Sequence, residues 1–147
     1  MGKPFRFKLE KVLQFRRQAE EQAQQDLARA RSRLREQEER LEGLLQALAD
    51  HEASRFGNAE MTQADLWLWE NYHRGLSQDV ESSRVRRNRL AEEVERARAA
   101  LIEKAKDRKV MEKLKEQQAE KHAREEQALE EKENDEVATI LHGYRAF

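Results

Sequence analysis

The side chains best suited to chemistry in this sequence are four histidines, His51, His73, His122 and His142, set among abundant carboxylates. Two imidazoles four residues apart on a helix would make a pair of metal ligands. None of the four stands at that distance from another. His122 with Glu125 and Glu126 has helical spacing for a weak metal site, but one imidazole beside two surface carboxylates reads better as a solvated face. Carboxylates on an open helical surface are not desolvated, so nothing raises their pKa for acid–base work. No glycine-rich loop leads into Lys-Ser or Lys-Thr, so phosphate cradling of that kind is missing from the sequence. The absence of cysteine removes disulfides and thiolate metal sites and suits a cytoplasmic protein. These residue types predict a protein that is not an enzyme and uses neither cofactor nor metal.

Binding chemistry is better represented. Arg84, Arg86, Arg87 and Arg89 lie within six residues, a density that raises nucleic acid as a partner. On a helix they fan around most of the circumference, with no aromatic platform for bases, so a solvated face or a protein-docking patch is the stronger reading. Trp67 and Trp69 would point about 200° apart on a helix. Trp69 holds the apolar stripe described below, which leaves Trp67 at the surface beside Leu68 and Tyr72. An exposed tryptophan there is a candidate binding anchor. The alternative is a neighbouring loop folding back over both rings.

Long helices must position these groups. Of 147 residues, 40% are charged, 37% hydrophobic and only 6% aromatic, with a single proline. That is the composition of long helices or coiled coils, and it excludes a compact α/β enzyme. Basic and acidic side chains number 29 and 30, so neither disorder driven by net charge nor a global pull towards nucleic acid is expected. The basic start of the chain has no apolar core of a signal peptide behind it, and no apolar run approaches the roughly 20 residues that span a membrane. The expectation is a soluble intracellular protein with no transmembrane segment.

Periodicity gives the architecture. Stepping back from Leu48 at alternating intervals of three and four reaches Leu44, Leu41, Gln37, Leu34, Ala30, Leu27, Ala23, Glu20, Arg16, Leu13 and Leu9, and nine of these twelve positions are apolar. Val12 and Ala19 are expected to fill the seam beside Arg16 and Glu20. Such a narrow stripe needs one partner helix. Gly57 and Asn58 carry the strongest turn signal, and Thr62 with Asp65 reads as a capping box opening a second helix. From Leu66 the stripe resumes through Trp69, His73, Leu76, Val80, Ser83, Arg87, Leu90, Val94, Ala97 and Leu101, eight of eleven apolar. Two stripes joined by a short loop make an antiparallel hairpin. The expected fold is therefore all-α: a single coiled-coil domain over 1–147, with helices at about 5–52 and 63–142, a loop at about 53–62, and the second helix the longer. This arithmetic sets Leu9 opposite a position between 105 and 114.

The second helix overhangs the first. From 116 to 136 only Ala119, Ala123, Ala128 and Leu129 are apolar, before the stripe recovers at Val137, Ile140, Leu141 and Tyr144. Such a stretch is expected to fray when free and to firm up on a partner. Residues 84–124 hold fourteen basic and eight acidic side chains, whereas 125–136 hold seven acidic and one basic. Residues 3–17 are basic again. Blocks of this kind steer partners of opposite sign.

Three motifs resemble the flagellar export protein FliJ family. Phe5 and Phe7 precede Leu9, Glu10, Val12 and Leu13, with Arg16, Arg17 and Glu20 following. After the loop come Trp69, Glu70, Asn71 and Tyr72. The most specific motif is late: Asp107, Arg108, Lys109, Val110, Met111 and Glu112, running on through Lys113, Leu114, Lys115 and Glu116, and then Glu131 to Ala138 by way of Lys132, Asn134 and Asp135. Together they span nearly the whole chain in the family's order.

The resemblance implies a stalk like the antiparallel coiled coil of the rotary F-type ATPase γ subunit. Its N- and C-terminal end would enter the ring of the flagellar export ATPase FliI, which works with its regulator FliH. Elsewhere the stalk would contact the export-gate protein FlhA and substrate chaperones. By motif alignment the gate-binding cluster falls on Arg40, Leu44, Ala47 and His51, facing Tyr72, Leu76, Asp79 and Ser83. Ala47 and His51 replace the family's frequent aromatics, so Trp67 or Trp69 is expected to compensate. The implied ATPase-binding residues are Phe5, Phe7, Leu9, Leu13, Arg108, Lys109, Leu114, Ile140 and Leu141. The implied protein is a monomer when free, located in the cytoplasm against the inner face of the membrane at the flagellar base. Two alternatives stay open: the equivalent stalk of a virulence-type secretion apparatus, and a structural coiled-coil homodimer.

Overall fold

A stripe two positions wide in every seven is buried only by a second stripe of the same kind. The computed structural model describes residues 2–55 and 61–145 and realises this pairing with two helices, α1 (Glu10–Arg55) and α2 (Gln63–Arg145). They form an antiparallel hairpin, α2 the longer, with no strand among the described residues. The turn expected at Gly57 and Asn58 lies outside the described residues. The start of α2 is the capping box read from sequence. The Thr62 hydroxyl accepts from the Asp65 N–H at 3.1 Å, and the Thr62 N–H donates to the Asp65 carboxylate at 3.2 Å.

The chain divides into two compact units, residues 21–102 and residues 1–20 with 103–147. In the first, Leu27, Ala30 and Val94 form the buried cluster, with Leu34, Ala97 and Leu101 packed against it. All of the seam positions from Ala23 to Leu48 and from Leu66 to Leu101 are buried or half-buried. The polar members Gln37 and Ser83 bond to each other there.

In the second unit Leu13 is fully buried with Phe7 and Met111, and Phe5 and Leu114 pack on them. Of the two apolar neighbours expected to fill the seam beside the polar positions, Ala19 is half-buried and Val12 is exposed, while Arg16 and Glu20 are themselves half-buried there. Arg16 donates to the Asp107 carbonyl at 3.0 Å, and Glu20 accepts from Arg108. Long side chains hold that place because their charged ends reach partners at the rim while their stems cover the seam.

Both ends differ from expectation. Helix α1 begins at Glu10 rather than near 5, and its first turn is closed by the Glu10 N–H on the Phe7 carbonyl at 3.2 Å. On a helix Phe5 and Phe7 would diverge by about 200°, whereas an extended segment sends both to one side, here onto α2. Leu9 consequently sits beside the seam and is 40% exposed. At the other end α2 is one continuous helix to Arg145, three residues beyond the expected end at 142. A glycine such as Gly143 costs a helix about 1 kcal/mol relative to alanine but does not forbid it.

Candidate functional site

Two groups of side chains carry the chemistry, one in each unit. In the unit of residues 21–102 it is an aromatic and imidazole cluster near the loop. His51 donates from Nε2 to the Trp69 carbonyl at 3.0 Å, and the Trp69 indole N–H donates to the His51 carbonyl at 3.2 Å. Their rings stack at 4.5 Å, His73 stacks on Trp69 at 5.1 Å, and Tyr72 meets His51 edge-on at 4.8 Å. His73 Nε2 lies 3.0 Å from a Glu52 carboxylate oxygen. The half-buried Trp69 is thus committed to holding the helices together, while Trp67 is 62% exposed and Tyr72 58%. Trp67 and Leu68 are turned to solvent, as the 200° divergence predicts.

Of the gate candidates, Arg40 is exposed, and Leu44, Ala47 and His51 are half-buried. Leu76 and Ser83 are buried in the seam. Sequence reasoning treated His51 and His73 as unrelated, yet their rings lie 6.0 Å apart. His73 is a stripe position of α2, and His51 stands three residues beyond Leu48, the last stripe position given for α1.

In the unit of residues 1–20 and 103–147, an arm before α1 lies along α2. His122 donates from Nε2 to the Lys3 carbonyl at 2.8 Å, and the Phe5 ring lies 5.7 Å from the imidazole. His122 is therefore a fastener for the arm. Among the described residues no group of three histidines or carboxylates is placed to hold a metal. Farther along, Arg108 pairs with Glu20 and, at 2.7 Å, with Glu112, which also takes Arg17 at 3.3 Å. The Glu20 contact raises the Arg108 pKa above its ordinary value, holding the guanidinium protonated. Lys115 lies 2.8 Å from Glu10 and, with Gln14, holds that carboxyl below the ordinary carboxylate range.

Among the ATPase-binding candidates, Phe7 and Leu13 are buried and Arg108 is engaged within the hairpin, so these three help build the unit. Phe5 and Leu114 are half-buried against that core. Leu9, Lys109, Ile140 and Leu141 are exposed. Phe15 of α1 falls between seam positions and is 70% exposed.

No described helix is long and apolar enough to cross a membrane. No curated protein and no solved structure matches the chain. One family model, described as flagellar FliJ protein, matches residues 5–146. With that match running through both helices of the hairpin and the arm before them, the chain belongs to the FliJ family of flagellar export components.

Proposed function

We propose that this protein is a non-enzymatic stalk and general chaperone of flagellar protein export, joining the export ATPase FliI to the export gate FlhA at the cytoplasmic face of the membrane. The observation that carries this reading is the state of the α2 terminus. It remains helical to Arg145, and Val137, Ile140, Leu141 and Tyr144 are between 55% and 82% exposed. Their spacing of three, four and seven gathers them on one face, left exposed among the described residues, as a segment made for a partner would be. A single helical end entering a ring touches its equivalent subunits unequally, and unequal contact biases their nucleotide states and favours ring closure.

The surface for the gate is Trp67 with Leu68 and Tyr72, supported from beneath by the stacked His51, Trp69 and His73. Arg40 and Leu44 add the α1 side. The free protein is a monomer, because each helix already buries its seam on the other. Substrate chaperones and the regulator FliH are further partners in this reading.

The test removes residues 137–147. Stimulation of the partner ATPase is expected to fall, while circular dichroism retains the hairpin's cooperative unfolding. Full stimulation by the shortened protein would overturn the ring-binding role.

A further inference from the structure

The exposed face of the α2 end has an internal order. At 100° per residue, Glu130, Glu133, Val137, Ile140, Leu141 and Tyr144 fall within an arc about 100° wide. Two carboxylates come first along it and four apolar groups follow. All six are exposed; Gly2 and Lys3 of the arm line one hollow with Glu130 and Glu133, and among the described residues no ion pair within 4.0 Å engages either carboxylate. Lys132, the one basic residue between 125 and 136, points outside the arc.

This order selects among occupants. A second copy in parallel would set Glu130 and Glu133 against their own equivalents, and like charges face to face are destabilising. A second copy in antiparallel register would set the same carboxylates against Tyr144, Leu141 and Ile140, desolvating charge on apolar groups. An anionic bilayer is repelled by seven carboxylates over twelve residues. A cationic amphipathic helix satisfies both halves of the face, its apolar side on 137–144 and its Lys or Arg side chains on Glu130 and Glu133.

We propose that the α2 terminus docks a basic amphipathic helix of its partner protein, the carboxylates setting direction and register and the apolar groups supplying affinity. This narrows the ring-binding reading above and rests on it, since the helix is assigned to the ATPase surface that receives the α2 end.

The experiment measures binding of the full-length protein to the purified flagellar export ATPase at low and high salt, beside E130Q/E133Q, E130K/E133K and the chain lacking residues 137–147. These glutamates are exposed, so the substitutions leave the hairpin intact. For two exposed ion pairs, charge reversal is expected to weaken binding by about 3- to 10-fold at low salt, with the glutamine variant between. Wild-type affinity is expected to fall with added salt and that of the reversed variant to change little or rise. If E130K/E133K binds as well as wild type while the shortened chain fails to bind, the charge-ordered docking is overturned and the ring reading stands. If the shortened chain binds and stimulates fully, both fall.

Discussion

Gln37 of α1 donates its side-chain amide to the Ser83 hydroxyl of α2 at 2.6 Å, inside a seam that is otherwise mostly apolar. The Ser83 carbonyl lies 3.4 Å from the same nitrogen, and both residues are buried, 6% and 5% exposed. A lone polar layer of this kind costs some stability and rewards one register, because any slip leaves buried polar groups unpaired. Gln37→Ala is expected to lower the unfolding free energy by about 1–3 kcal/mol in urea denaturation. The joint Gln37→Leu, Ser83→Ala variant is expected to regain stability but lose unique pairing, seen as broadened distances between spin labels on α1 and α2.

Leu13 and Phe15 are two residues apart on α1 and differ in every physical respect. Leu13 is wholly buried among Phe7 and Met111, whereas Phe15 is 70% exposed. Leu13→Ala is expected to cost about 2–5 kcal/mol, the range for a buried leucine whose cavity cannot collapse fully. Phe15→Ala is expected to leave stability within about 0.5 kcal/mol of wild type. Chemical denaturation followed by circular dichroism measures both.

The Glu10 carboxyl is held below the ordinary carboxylate value of 4.5, first by Lys115 and then by Gln14. A carboxyl with a depressed folded pKa binds fewer protons in the native than in the unfolded chain. Its contribution is therefore complete above the unfolded value and is lost as pH falls through the folded one. Lys115→Met is expected to move the Glu10 titration upward and to flatten the acid limb of the stability curve below pH 4.5. A carboxyl-carbon NMR titration reads the first effect, and unfolding at several pH values reads the second.

Trp67 and Trp69 separate binding from folding. Trp69→Phe removes the indole N–H that reaches the His51 carbonyl and is expected to cost about 1 kcal/mol of stability. Trp67→Ala removes an exposed ring and is expected to change stability by less than about 0.5 kcal/mol. On the gate-binding reading it is Trp67→Ala that weakens association with the cytoplasmic part of the export gate, by tenfold or more. Thermal unfolding paired with a binding titration distinguishes the two variants.

The sequence by itself determined the two helices, their antiparallel pairing, the capping box at Thr62 and Asp65, and the outward direction of Trp67. Heptad spacing and helical angle are local properties of the chain, and a narrow apolar stripe has only one way to leave water. The family was legible as well, in the motif around Arg108 and its distance from the aromatic start. Only the tertiary structure decided which candidates are free to meet a partner. Phe7, Leu13 and Leu76 are apolar residues like Ile140 and Leu141, but the opposite helix takes the first three and leaves the last two in solvent. It also decided that Arg16 and Glu20 fill the seam, that the arm runs extended so that Phe5 and Phe7 face α2, and that His51 and His73 share one cluster with Trp69. Each depends on what stands across the hairpin, and that neighbour is set by register, which no single helix carries in its own periodicity.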